Sequence, residues 1–308
     1  MVLALALSGT VTGESGVPAV STGGNAMLAE VLAALERRGN VSAKLRYQSQ
    51  MGEATQVGSG NYWQQGIGPQ RVTRWEMQTQ VAEESASYVQ VFDGRYVWTD
   101  RHLPSGRKIH RLDVNYLKSR LAGAHPNSTD DSPWEELLWG TQFRGGISQL
   151  LAELLRRFEF DPPRATQLNG FPVEALVGHW RTDQLAELSP AALAALADPA
   201  AWPPQLPHHV LILVGQSNLF PYVVEYRSAA DAQLAEELIG LRPAQEPLLR
   251  YEIFEVRFAE AIDSTVFQFK AGDVASTDET ALVLERLVKQ HASAAAEVAG
   301  RNVSEQRQ

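Results

Sequence analysis

Apolar and polar positions alternate along much of the first third of the chain. Val41, Ala43, Leu45, Tyr47, Ser49 and Met51 alternate with Ser42, Lys44, Arg46, Gln48 and Gln50, the period of a long half-buried strand. Arg71, Thr73, Trp75 and Met77 alternate likewise with Val72, Arg74, Glu76 and Gln78. Between these runs, Val57, Asn61 and Trp63 lie along another strand, whose Gly58 and Gly60 permit bending or close approach. Asp93-Gly94, flanked by VQVF and RYVWTD, predicts a two-residue hairpin turn. That register pairs Val91 with Tyr96 and Val89 with Trp98, and puts all four side chains on one face. Residues 107–113 read as a sixth strand. The short connections predict an antiparallel meander.

The period changes elsewhere. Met27, Leu28, Val31, Leu32 and Leu35 recur at helical spacing, with Asn25 placed to cap the helix and Gly39 to end it. A short helix is expected over 113–121. Ser132-Pro133-Trp134-Glu135 is a capping box with proline at the first helical position, stopped by Gly140. Ile147, Leu150, Leu151, Leu154, Leu155 and Phe158 form a further apolar stripe. Strands resume at 160–168 and 171–180, joined by Asn169-Gly170, and again at 210–214, 220–227, 248–258 and 265–269. Short helices are expected at 182–188 and 190–197. Ser276, with Glu279 three residues on, predicts the start of a C-terminal helix.

About a dozen strands cannot lie flat in one sheet, so the sheet must curl. The expected fold class is α+β, mainly β: a strongly curved antiparallel sheet, an open or half barrel, with helices covering its concave mouth. The expected layout is a signal-like or disordered segment at 1–24, one domain at 25–272 with a helical insertion at about 113–158, and a C-terminal helix and tail at 273–308.

Composition narrows the function. The 308 residues carry a net charge of −9 and no long basic run, so nucleic acid is not an expected partner. There is no cysteine, which excludes disulfides, thiol catalysis and thiolate metal sites, as well as a lipid anchor through cysteine. The opening MVLALALSGT resembles the apolar core of an export signal, but no Lys or Arg precedes it. It reads as an atypical or truncated signal, or as a frayed terminus.

Zinc-protease, nucleophile-elbow, phosphate-loop and dinucleotide-loop motifs are all missing. His208-His209 is the one histidine cluster, and neighbours on a strand point to opposite faces. No catalytic residue, metal or cofactor is therefore expected. The informative side chains are the aromatics on successive strands: Tyr47, Trp63, Trp75, Tyr96 and Trp98. Such residues either fill a core or line a hollow on the concave side.

The stretches GSGNYWQQGIGPQRVTRWE and VFDGRYVWTD, followed by LNGFPVEALVGHW, LFPYVVEYR and YEIFEVRF, resemble the lipoprotein-localisation-factor superfamily, the LolA/LolB-like fold. The residues that carry the resemblance include Gly60, Tyr62, Pro69, Arg71, Arg74, Trp75, Glu76, Asp93, Gly94 and Trp98. It implies a curved sheet whose apolar hollow takes acyl chains of lipids or lipoproteins in the periplasm. Carriers of this kind often have an arginine directly before the third-strand proline, tying helical lid to sheet. Here that position is Gly68, and Arg71 and Arg74 are the nearby candidates.

The expected function is non-catalytic binding of a lipid or an acylated protein in this hollow, in the periplasm. The alternative is a periplasmic sensor or scaffold that binds a membrane or envelope protein partner. If the strands all turn the same face inward, the cavity wall comprises Leu45, Tyr47, Trp63, Trp75, Val89, Val91, Tyr96 and Trp98. The lid then supplies Trp134, Leu151 and Leu154.

Overall fold

The computed structural model describes residues 23–51, 54–81, 84–124, 145–196, 198, 201–229 and 246–288. The expected helix around Trp134 and both chain ends lie outside these residues.

Helix α1 spans Gly24–Arg37 and buries Leu28, Val31, Leu32 and Leu35, as its apolar stripe predicts. Its cap differs from expectation. Gly23 holds the N-cap position, while the Asn25 side chain accepts the Phe160 N–H at 2.7 Å. Asn25 thus ties the helix to a distant strand instead of closing its own first turn.

The meander follows as β1 (Val41–Met51), β2 (Ala54–Gln65), β3 (Val72–Val81), β4 (Glu84–Phe92), β5 (Tyr96–Leu103) and β6 (Gly106–Asp113). Helix α2 spans Val114–Ala124 and α3 spans Gly146–Arg157. The second half contains β7 (Phe158–Phe160), β8 (Arg164–Leu168), β9 (Phe171–Trp180), α4 (Thr182–Leu188), α5 (Pro190–Ala194), β10 (His209–Gly215), β11 (Pro221–Arg227) and β12 (Leu249–Phe258). A three-residue β13 (Ser276–Asp278) then precedes a helix, α6, over 280–288.

All 13 strands join one sheet, in the order β13-β6-β5-β4-β3-β2-β1-β12-β11-β10-β9-β7, with β8 also on β9. Only the β13–β6 pair is parallel among the described residues. The two ends do not pair with each other, so the sheet is open and antiparallel-dominated. The halves join where β1 lies against β12, with Tyr47 opposite Tyr251 and Leu45 opposite Ile253.

One face of the sheet holds the main core. Val41, Ala43, Leu45, Tyr62, Trp75 and Ile253 pack against Leu28 and Leu32 of α1 and Ile147 and Leu151 of α3. This is the concave, helix-covered face. The two-residue periodicity puts Trp63, Val89, Val91, Tyr96 and Trp98 on the other face: Trp63 pairs with Arg74, Arg74 with Val91, and Val91 with Trp98. The expectation of a single inward-turned set is therefore corrected. Side chains at odd spacing from Trp75 across a ladder must point away from it.

The Asp93-Gly94 hairpin has a wider turn than the two-residue form. Phe92 pairs with Val97 and Val91 with Trp98. The Asp93 carboxylate accepts the N–H groups of Arg95 at 2.9 Å and Tyr96 at 2.7 Å, and the Trp98 indole N–H at 3.0 Å. This side-chain turn displaces the register by two, so the faces are unchanged. Asn169-Gly170 gives the tight turn expected, with φ of 50° and 82°.

Two C-terminal expectations are corrected. Residues 264–267 form a 3-10 turn, not a strand. Its segment crosses the outer face, where Arg74 donates to the Val266 carbonyl at 3.1 Å, Gln65 to that of Ile262 at 3.2 Å, and Phe269 stacks on Trp98 at 5.0 Å. Ser276 starts the edge strand β13, and α6 begins only at Thr280, whose N–H meets the Asp278 carboxylate at 3.0 Å. Leu287 of α6 then packs with Phe92, Val97, Val114 and Leu117.

Candidate functional site

A cavity of about 470 Å³ opens on the concave face beside α3. Its floor comes from β1, β3, β4 and β12: Tyr47, Trp75, Met77, Tyr88 and Tyr251. Its roof is the side of α3 that carries Gly146, Gln149, Leu150 and Glu153. Trp75 and Met77 are buried, whereas Arg101 and Leu103 at the rim are exposed. The floor is rich in aromatic rings. Tyr251 stands 5.6 Å from Tyr47 and edge-on to Trp75 at 5.7 Å, and Trp75 meets Tyr62 at 6.1 Å.

Burial pushes the Tyr251 hydroxyl well above its ordinary range, raises that of Tyr88, and lifts Tyr226 beside them to about 12. These phenols stay neutral at any physiological pH. The floor therefore presents rings and weak hydrogen-bonding tips, and the charged lining residues are Arg101 and Glu153.

Of the expected site residues, Tyr47 and Trp75 line this cavity. Leu45 lies on the same face within the core. Leu151 and Leu154 also lie in the core, on the sides of α3 turned toward α1 and the sheet. Trp63, Val89, Val91, Tyr96 and Trp98 are on the outer face, and Trp134 is outside the described residues. Sequence reasoning missed Met77, Tyr88, Gln90 and Tyr251, and had Leu150 only as part of the apolar stripe of α3. Met77 and Tyr88 follow from strand period once Trp75 is fixed as inward. Tyr251 follows only from the pairing of β12 with β1.

Polar anchors fix the roof. Arg71 is fully buried. Its guanidinium pairs with the Glu36 carboxylate, donates to the Glu36 and Leu35 carbonyls at the end of α1, and reaches Ser148 Oγ of α3 at 3.2 Å. One arginine just ahead of β3 thus holds the end of one helix and the start of another. Charge-assisted bonds to carbonyls satisfy the last turn of α1. Arg74, the other candidate, faces outward and holds the 262–269 segment.

Helix α3 has no cap of its own: Gly145 at its N-cap has φ of 74°. Gln90 of β4 supplies one instead, accepting the Gly146 N–H at 3.1 Å. Gly146 (φ 70°) packs so closely on Tyr62 that a Cβ would lie 2.8 Å from its ring. The paired glycines therefore let the helix rest on the sheet.

On the outer face, His209 of β10 is buried with neither ring nitrogen bonded. Burial, together with the nearby His208, Arg227 and His179, depresses its pKa to about 3. The imidazole is neutral. No group of three or more His, Asp or Glu side chains among the described residues is placed to hold a metal. A second hollow, about 490 Å³, lies beneath the 264–269 segment, with the mixed polar lining Gln65, Gln70, Asp93, Ser264 and Gln268. No helix among the described residues is long and apolar enough to cross a membrane.

The fold and site define a class: open curved-sheet proteins with helices over an aromatic-lined concave face. No family model matches the chain, and no curated protein matches it. Several solved structures are similar. The Pseudomonas aeruginosa MucA/MucB complex matches at 12% identity and TM-score 0.39, over 80% of this chain and 61% of that one. This chain thus spans about three-fifths of the matched chain's length. A DUF1329 family protein from Desulfovibrio piger matches at 9% identity and TM-score 0.35, over 80% and 95%. A LolA superfamily protein from Nitrosomonas europaea matches at 12% and 0.29, over 81% and 99%. At these scores the likeness carries no functional argument, and the geometry of the site must supply it.

Proposed function

We propose that the chain binds an apolar ligand, a lipid or the acyl chain of an acylated protein, in the concave cavity, without chemical conversion. The carrying observation is the 470 Å³ hollow walled by Trp75, Met77, Tyr47, Tyr251 and Leu150 beneath a packed helix. Its size is that of a small-molecule site, roughly 300–1,000 Å³. Each methylene transferred from water gains ~0.8 kcal/mol, so a dozen would gain on the order of 10 kcal/mol before ordering costs. Aromatic walls suit this role because rings bury large areas with little rotamer loss. Periplasmic location and a role in sorting lipids or lipoproteins within the envelope belong to the same reading.

The test is native mass spectrometry of the protein purified from its source, combined with thermal melts in single-chain lipid. Co-purifying lipid and a rise in melting temperature with concentration are expected. Leu150→Trp fills the hollow from its roof and should abolish that rise while leaving the apo melting temperature nearly unchanged. A melting temperature indifferent to every acyl chain tried, with no lipid retained, overturns the reading.

A further inference from the structure

The rim of the cavity is not electrically neutral. Arg101 of β5 lines the mouth and is exposed. It forms no ion pair among the described residues, and its guanidinium leans toward the Tyr88 ring at 6.0 Å. On the same face its cross-strand partners are Tyr88 on β4 and Lys108 on β6. Lys108 is exposed as well. Two cations therefore stand side by side where the apolar wall ends.

The carboxylate at the mouth does not offset them. Glu153 lines the cavity from α3, but Arg156 and Arg157 hold it at 2.9 Å and 3.0 Å. Arg107, next in sequence to Lys108, is engaged by Asp100, with the closest contact at 2.7 Å. The chain as a whole carries −9, so its overall field repels anions. A local pair of uncommitted cations beside an aromatic hollow runs against that field and marks a place where a negative group is wanted.

We infer that the cavity takes a single-chain amphiphile with an anionic head, a carboxylate or a phosphate, its tail against Trp75 and Met77 and its head at Arg101. This rests on the apolar-ligand reading and adds the chemistry of the head. Tail burial supplies most of the affinity, and the head selects among lipids. Arg101 suits either anion, because its planar fork pairs two oxygens at once. A trimethylammonium or glycerol head of equal tail length gains nothing there.

The test uses the full chain and four twelve-carbon probes below their micelle concentrations: dodecanoate, dodecyl phosphate, dodecyltrimethylammonium and monododecanoylglycerol, each titrated calorimetrically. Dodecanoate, dodecyl phosphate or both should bind about five- to tenfold tighter than the two non-anionic probes, the span of one ordinary hydrogen bond, because Arg101 is exposed. The stronger of the two anions identifies the head. In Arg101→Gln the preference should shrink to within about twofold, and in Arg101→Lys part of it should return. Raising salt should weaken it in wild type. Equal affinity for all four heads, or a preference unchanged in Arg101→Gln, overturns the head-group inference and leaves the apolar reading standing. If none of the four binds, both fall.

Discussion

The two faces of this sheet carry comparable aromatic loads and treat them differently. On the outer face, Tyr96, Trp98 and Phe269 form a ladder with Trp98 and Phe269 nearly parallel, 15° apart. Arg95 and Arg111 lie over Tyr96 at 4.7 Å and 5.1 Å. The cover there is the chain's own 262–269 segment, hydrogen-bonded to Gln65 and Arg74. On the concave face the cover over the main core is α1 and α3, held at points by Arg71 and Gln90. Both covers leave space: about 490 Å³ with a mixed polar lining beneath the outer segment, and about 470 Å³ walled mainly by rings and apolar side chains beside α3. The two faces therefore differ in the chemistry of the hollow they enclose, polar-lined outside and ring-lined inside, rather than in having one.

The largest expected effect breaks the concave cover. Arg71→Ala removes the shared anchor and leaves Glu36 without its main partner in a nearly buried place, with a side chain only 10% exposed. A loss of about 3–5 kcal/mol is expected, read by urea denaturation. If the loss is below ~1 kcal/mol, the two helices are held by packing alone.

Next comes acid sensitivity on the outer face. Folded His209 stays neutral down to about pH 3, while an unfolded histidine takes up a proton near pH ~6.5. Stability should be flat above that value and fall as pH drops toward 3, by up to ~1.4 kcal/mol per unit. His209→Asn should flatten the curve of denaturation midpoint against pH in that window. An unchanged slope would assign the acid sensitivity to other groups.

A paired substitution sharpens the contrast. Phe269→Ala should cost about 1–2 kcal/mol by uncovering Trp98 and leave ligand affinity unchanged. Leu150→Trp should do the reverse. If Phe269→Ala also weakens ligand binding, the two faces are coupled through the sheet. The smallest effect belongs to the edge. Asp278, its carboxyl held down to about 2 by Thr280 and Arg111, caps the turn into α6. Because that carboxylate is exposed, Asp278→Ala should cost under ~1 kcal/mol, seen as a small drop in melting temperature.

Much of the fold was legible. Strand period gave β1, β3 and the β4–β5 ribbon with the correct partition of faces within each strand, and helical period gave α1 and α3. Local chemistry misled where a side chain had a distant use. Asn25 looked like a cap and serves Phe160, and Asp93 set its own turn through three donors. Ser276-Thr277-Asp278 read as a helix start and became an edge strand because β6 offered a free ladder. The site was legible only in part. Tyr47 and Trp75 do line the concave cavity, but Trp63, Tyr96 and Trp98 were placed with them because neighbouring strands were assumed to share phase.

What the sequence determined by itself was the set of two-faced strands, the two apolar helices, and a strand count too large to stay flat. Each of these follows from neighbours a few residues apart. What only the tertiary structure decided was which face the helices cover, that β12 would set Tyr251 beside Tyr47, and that Arg71 rather than Arg74 would turn inward. Alternation fixes which side chains travel together and leaves open which side is in. That choice is made by contacts between segments some two hundred residues apart in the chain, where no local period reaches.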